Sequence, residues 1–300
     1  MVDLKSVETF VWAARLGGFR AAAHRLNTTQ PAISARIAQL EQDLGVRLFD
    51  RDHRKAALTP KGADLLGYAE KMLTLRSEMV EVAGEKACIR GVIRLGVAET
   101  IVHTWLSQLI ERLHALYPAV SLEIDVDVTV NLRRSLLSHD LDIAFMLGPV
   151  PEPKLKSRPL CSYPLAWVAI PQLELPAEPV PLSALVDCPI ITFSRNTQPY
   201  ILIRDHFSRQ GLPPARLFGN SSLSTVVRMT LDGIGVSVIP PVIIRQELAD
   251  GRLRLFRAAI DLPDHAFVAA YPLKPDSHLA QTVAALAADV AAQWPENTPN

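Results

Sequence analysis

Cysteine is scarce in this chain of 300 residues: only Cys88, Cys161 and Cys188, an odd number without metal-ligand spacing. A disulfide framework is not expected on that ground, and a reducing cytoplasm is the expected compartment. An excess of one charge is also lacking, since 31 Lys/Arg balance 31 Asp/Glu. The protein is therefore not one coated in basic charge for nucleic acid. No stretch of about 18 apolar residues is free of charge, so no membrane span is expected. The N-terminus opens on Asp3, Lys5 and Glu8 in an amphipathic pattern, without a signal-peptide core. Internal repeats of roughly 20–50 residues are missing. So are the G-x-S-x-G, H-E-x-x-H, P-loop and Cys-x-x-Cys signatures. His103 and His114 are too far apart in sequence for a metal pair on one helix. An enzyme is therefore not expected, and neither is a metal or a cofactor.

What is present is a substantial core-forming fraction: 49 % of residues are hydrophobic, enough for two or three globular units. Charge is distributed unevenly. Nine Lys/Arg face six Asp/Glu in residues 1–60, and five of the nine fall between Arg36 and Lys55. A locally basic element on a neutral protein fits a DNA contact of limited non-specific affinity.

Leu4, Val7, Phe10, Val11 and Ala14 share one helical face over residues 4–16, and Gly17-Gly18 ends that helix. A short alanine-rich helix follows from about Arg20 to Leu26. Asn27-Thr28-Thr29 reads as a turn, because Asn tolerates the left-handed region and Thr caps the next helix. Pro31 suits a first helical turn, which needs no N–H there. The third helix buries Ile33, Ile37 and Leu40 and stops near Gly45. In a helix-turn-helix such a helix enters the major groove and its first residues meet base edges. Ala35 and Gln39 then point outward, with Ser34 and Arg36 on the flanks. Gln30 can read an adenine edge, and Arg36 can read guanine or clamp phosphate. Thr28 and Thr29 can hydrogen-bond phosphate oxygens.

Residues 46–60 read as two short strands around a polar turn, Asp52 to Lys55, which would be a wing. A long helix then runs from Thr59-Pro60 to about Lys86. Leu65, Ala69, Met72, Arg76, Met79 and Ala83 recur at alternating spacings of four and three, which suggests a two-helix seam. The competing reading is a helix packed on its own domain.

From Gly91 strand-like runs (92–97, 120–128, 142–147) alternate with helical ones (101–117, 131–139), a βαβ pattern with a mainly parallel sheet. Nine prolines between residues 149 and 181 mark a crossing to a second lobe, with one strand at Leu165–Ile170 inside it. A second α/β set follows: strands at 190–193, 216–218 and 235–239, helices at 200–210, 223–231 and 242–249. Strands at 253–256 and 267–271 lead back, and a helix from Ser277 to Trp294 closes the chain.

The run from Phe19 to Gly62 closely resembles the winged helix-turn-helix of LysR-type transcription regulators. The matching residues are Ala22-Ala23, Leu26, Gln30-Pro31, Ser34, Ile37, Leu40-Glu41, Gly45, Leu48-Phe49, Arg51, Leu58-Thr59 and Gly62, in ungapped spacing. Residues 91–300 match in element order and in GVIRLGVAET, LDIAFMLGP and GIGVSVIP. The resemblance implies an α/β multidomain protein. A winged helix-turn-helix occupies 1–60 and a linker and dimerisation helix 61–89. Lobe I covers 90–160 plus 266–300 and lobe II 161–265, folded like periplasmic binding proteins. It further implies binding to double-stranded promoter DNA, self-association to a dimer and a tetramer, RNA polymerase as a further partner, and control by a small effector. Thr28, Thr29, Gln30, Pro31, Ser34 and Arg36 become groove or backbone contacts, and Arg51 and Arg54 become wing contacts. Arg51 could instead form a surface ion pair with Asp50 or Asp52.

Doubly wound sheets bind ligands at the carboxyl ends of their strands. Thr100, Thr129, Ser194, Arg195, Asn220 and Ser221 fall at such edges, next to helix starts that favour an oxyanion. They are the candidate contacts for a small carboxylate-bearing metabolite. The plainer reading makes them helix caps. Glu99, if it faces the cleft, would repel an acid or recruit a ligand amine. A small-molecule binding protein without a DNA-binding role is the functional alternative.

Overall fold

A computed structural model describes residues 2–50, 57–82, 91–273 and 277–294. The first unit holds α1 (Leu4–Arg15), α2 (Phe19–Arg25) and α3 (Gln30–Leu44), followed by β1 (Phe49–Asp50), β2 (Ala57–Leu58) and the long α4 (Pro60–Val82). Its core is built from Val7, Phe10 and Val11 of α1, Ala22 and Ala23 of α2, and Ile33, Ile37 and Leu40 of α3. Leu48 and Phe49 join them, with Ala69 and Leu73 of α4. Strands β1 and β2 pair antiparallel, Phe49 opposite Leu58, which forms the base of a wing. Phe49 is held edge-on by Phe10 and Phe19, with ring centroids 5.7 and 5.1 Å away. The tip of the wing lies outside the described residues.

Gly62 matters here for closeness of approach: a Cβ on it would lie 2.2 Å from the Leu48 carbonyl oxygen. The glycine lets α4 start directly against the wing. Gly45, at φ +67°, ends α3 in the left-handed region.

The exposed apolar seam of α4 differs from the expected one. Ala69 and Leu73 turn inward onto the first unit's own core. Tyr68, Met72, Leu75 and Met79 stand 66, 41, 58 and 72 % exposed, at spacings of four, three and four. The heptad is therefore present but rotated, because the face carrying Leu65 and Ala69 is needed to cover α1. Residues 83–86 of the expected helix lie outside the described residues.

The remaining chain forms two five-stranded sheets. Lobe I has the order β4-β3-β5-β12-β6, made of β3 (Gly91–Val97), β4 (Val120–Val126), β5 (Ile143–Leu147), β6 (Leu155–Tyr163) and β12 (His265–Pro272). Its helices are α5 (Glu99–Val102), α6 (Leu106–Leu116), α7 (Thr129–Leu137) and the terminal α11 (His278–Gln293). Strand β5 shows why both faces are covered: Ile143 and Phe145 enter the core with α6 and α11, whereas Ala144 and Met146 enter the one with α7.

Lobe II has the order β11-β7-β10-β8-β9. Its strands are β7 (Ala166–Ala169), β8 (Ile190–Phe193), β9 (Leu217–Asn220), β10 (Val236–Ile239) and β11 (Arg254–Phe256). Helices α8 (Gln198–Arg209), α9 (Leu223–Leu231) and α10 (Arg245–Ala249) complete it.

Both sheets are mixed, not mainly parallel. In lobe I β12 runs antiparallel to β5 and β6, and in lobe II β7 runs antiparallel to β10 and β11. The expected helix over 101–117 is two helices. Thr104 Oγ1 donates back to the carbonyls of Thr100 and Ile101 (3.0 and 3.2 Å), and the chain turns so that Trp105 drops fully into the core. Likewise the expected helix at 242–249 begins as a 3₁₀ turn over Pro241–Ile244. Strand β6 departs from the sequence expectation, in which its prolines read as connection. It is an edge strand, and Pro159 sits where its pairing with β12 shifts register between Phe267 and Val268. Those are the places where a strand tolerates a missing N–H.

Candidate DNA-binding face and inter-lobe cleft

Helix α3 is anchored from behind and bare in front. Ile33, Ile37 and Leu40 are at most 2 % exposed. Gln30, Pro31, Ala35, Ala38 and Gln39 are exposed, and Ser34 and Arg36 are half-exposed. Thr29 caps the helix, its Oγ1 accepting from the Ala32 N–H at 3.4 Å, and Pro31 occupies the first turn. The turn before it places Thr28 half-buried, its N–H donating to the Ala23 carbonyl. Glu41 Oε1 accepts from the N–H groups of Leu48 and Phe49 (2.7 and 3.2 Å), so α3 holds the wing at a set distance. Of the eight expected DNA contacts, Thr29, Gln30 and Pro31 are exposed at the start of α3, Thr28 is half-buried in the turn before it, and Ser34 and Arg36 lie half-exposed on opposite flanks of the helix. Arg51 and Arg54 lie outside the described residues.

The lobes meet where Glu99, just after β3, touches Ser222, Leu223 and Ser224, just after β9. Thr100, at the start of α5, is 2 % exposed. Thr129 Oγ1 accepts from the Leu147 N–H at 3.1 Å, leaving its hydroxyl proton free to donate. Ser194 is half-buried and its carbonyl accepts from Thr197 Oγ1, while Arg195 is exposed. Asn220 Oδ1 accepts from the Ser222 N–H at 2.8 Å within its own loop, and Ser221 is exposed. Neither Thr129 nor Asn220 is a helix cap: Val128 stands at the N-cap of α7 without a side-chain bond, Thr129 serves the end of β5, and Ser222 caps α9.

The partners of Glu99 and His265 across the lobes had no signal in the pattern of residues. Glu99 faces lobe II and does not stand as a free charge. Its Oε2 accepts from the Leu223 N–H at 2.6 Å, and its Oε1 accepts from Ser222 Oγ, Ser224 N–H and Ser224 Oγ at 3.3, 3.2 and 3.2 Å. His265, where the chain re-enters lobe I, lies 5.1 Å ring to ring from Phe193 of lobe II and 6.2 Å from Phe267. Burial drives its pKa down to about 4, and neither ring nitrogen has a hydrogen-bond partner among the described residues. Burial raises the Cys161 thiol to about 11, partly offset by the polar groups of Trp105 and Tyr163 beside it, and raises Cys188 as well. Neither is a reactive thiolate at neutral pH.

Among the described residues no helix is long and apolar enough to cross a membrane, and no group of three His, Cys, Asp or Glu could hold a metal ion.

Residues 4–63 match the bacterial regulatory helix-turn-helix protein, lysR family, and residues 88–292 match the LysR substrate binding domain. The chain belongs to the LysR family. It is a DNA-binding transcription regulator with an effector-binding domain, and the alternative of a binding protein idle in residues 1–60 is set aside by the first match. The HTH-type transcriptional regulator GltR of Bacillus subtilis is 29 % identical over 256 residues, covering 84 % of each chain. Among solved structures, a full-length single-site variant of OxyR from Pseudomonas aeruginosa superposes with a TM-score of 0.64 at 23 % identity, over 100 % of this chain and 99 % of that one. Full-length LysG of Corynebacterium glutamicum, with bound effector Arg, gives 0.62 at 16 % identity, over 98 and 99 %. These two likenesses are likenesses of fold.

Proposed function

We propose that this LysR-family chain is a cytoplasmic, sequence-specific regulator that reads a promoter through α3 and is controlled by a small carboxylate-bearing metabolite held between the lobes. The observation that carries the DNA half is the bare front of α3, with Pro31, Ala35 and Gln39 exposed, Gln30 exposed at its first turn and Ser34 and Arg36 on its two flanks, beside a wing. Gln30 and Arg36 meet base edges, and Thr28, Thr29, Pro31 and Ser34 set the helix against the backbone. Arg51 and Arg54 are assigned to the wing contact.

The protein works as a dimer through 61–89, with a tetramer built from dimers. The exposed Tyr68, Met72, Leu75 and Met79 support the pairing, because an apolar stripe at heptad spacing is covered by a second copy. RNA polymerase is the further partner. Effector contacts fall to Thr100, the Thr129 hydroxyl, Ser194, Arg195, Asn220 and Ser221, with Arg195 offering two-point geometry to a carboxylate. DNA binding by 1–60, dimerisation by 61–89, and sensing by the two lobes is the proposed division of labour, with the expected lobe boundaries at 160/161 and 265/266 moved to 163/164 and 264/265, since β6 runs to Tyr163 and β12 starts at His265.

The test is a gel shift with DNA from upstream of the protein's own gene and of its neighbours, run across a salt series. Sequence-dependent retardation that weakens as salt rises is expected. Equal retardation of upstream and scrambled DNA would remove the reading. Calorimetric titration with a panel of organic acids tests the effector half.

A further inference from the structure

Glu99 belongs to lobe I and the donors around its carboxylate belong to lobe II, more than a hundred residues away in the chain. The first N–H groups of a helix have no partner inside it, and the helix dipole makes its N-terminus attractive to an anion. In α9 the Leu223 and Ser224 N–H groups are such donors, and both go to Glu99. The hydroxyls of Ser222 and Ser224 add two more bonds, and His103 Nε2 stands 3.5 Å from Glu99 Oε1 and 3.3 Å from Ser224 Oγ. The side chain of Glu99 is only 19 % exposed, so these charge-assisted bonds form largely out of bulk water. The Phe193–His265 ring contact also joins the lobes.

We propose that Glu99 is an internal clasp, a carboxylate of the chain's own that seats on the start of α9 and holds the two lobes together without a bound effector. The clasp deepens the effector reading given above and rests on it in one respect only, the identity of the competitor. An acidic effector reaches this edge of the cleft by displacing the Glu99 carboxylate, and an effector that leaves Glu99 seated must bind elsewhere along the cleft. Whichever group occupies the seat biases the lobe arrangement, since a ligand shifts an equilibrium only through unequal affinity for its two states. Because Glu99 is tethered, its effective concentration at the seat exceeds that of a dilute free acid, which sets a threshold for response.

The test is hydrogen exchange of the segment 222–226 in the full-length protein. Wild type should protect the Leu223 and Ser224 amides. In Glu99→Ala their exchange should rise by about tenfold or more, since their acceptor is gone. Sodium acetate, the carboxylate alone, should restore protection in Glu99→Ala where sodium chloride at equal ionic strength does not, and should leave wild type unchanged. Glu99→Gln keeps the side chain's shape and should also exchange faster than wild type, which serves if the alanine variant folds poorly. Unchanged exchange in both variants, or equal effects of acetate and chloride, would overturn the clasp. The readout involves no DNA, so a failed gel shift leaves it standing, and its own failure leaves the regulator reading intact.

Discussion

The guanidinium of Arg25, in α2 of the helix-turn-helix, pairs with the carboxylate of Asp142 at the edge of lobe I. Arg25 also lies 4.5 Å above the Trp12 ring, and Asp142 Oδ2 accepts from the Arg94 N–H at 3.1 Å. Both side chains are mostly buried, 16 and 12 % exposed, so removing one partner leaves a charge with little water. Asp142→Ala should cost about 3–5 kcal/mol of stability. It should also speed hydrogen exchange in α2 before exchange rises elsewhere. Arg25 is not on the front of α3, so DNA affinity should change little. An unchanged melt would show that the contact contributes nothing.

Front and back of α3 should respond differently to truncation. Arg36→Ala should weaken operator binding by about 1–3 kcal/mol and leave the melt unchanged. Ile37→Ala, which removes a fully packed side chain, should cost about 2–5 kcal/mol of stability. Gel shifts and thermal melts on both variants separate the two effects.

The α4 seam yields an oligomer prediction. Met72→Glu with Leu75→Glu places charge on the exposed stripe and should drive the protein to monomer in sedimentation, with helical circular dichroism retained. Leu73→Ala, on the inward face, should instead lower the melting temperature and leave the oligomer intact.

His265 makes the fold acid-sensitive. Its pKa falls from 6.5 to about 4 on folding, so the unfolded chain binds the extra proton between those values. Its contribution is whole above pH 6.5 and lost as pH falls toward about 4, on the order of 3 kcal/mol. His265→Phe, set between two phenylalanines, should flatten the stability profile over that window. Urea melts at a series of pH values check it, and an equally steep loss in the variant would assign the effect to other groups.

The thiols should be sluggish. With Cys161 raised to about 11 and Cys188 raised as well, alkylation of either at neutral pH should be slow and should accelerate only in strong alkali. Site-resolved mass spectrometry after iodoacetamide treatment measures each cysteine. Rapid modification of Cys161 in the folded protein would contradict its placement.

Local pattern was enough for the helix-turn-helix. Ile33, Ile37 and Leu40 recur at helical spacing, Thr29 and Gly45 bracket them, and the observed α3 matches because caps and periodicity act within a few residues. Pattern failed where the answer lay across the sheet. Pro159 argued against a strand until the edge position of β6 removed the need for its N–H. Leu65 and Ala69 joined a heptad that included inward residues, since only the packed domain tells which face of α4 is already used. At the cleft, residue types marked Thr129 and Asn220 as edge groups, but not that each spends an oxygen on a backbone amide.

The amino-acid order by itself determined most of the elements, helix α3 among them, and the family, because hydrophobic period, capping and ungapped motif spacing are properties of neighbours along the chain. Only the tertiary structure decided what Glu99, His265 and Arg25 do. Their partners are Leu223, Phe193 and Asp142, distant in sequence, and an ionisable side chain takes its role from the solvent it loses and the groups that replace it.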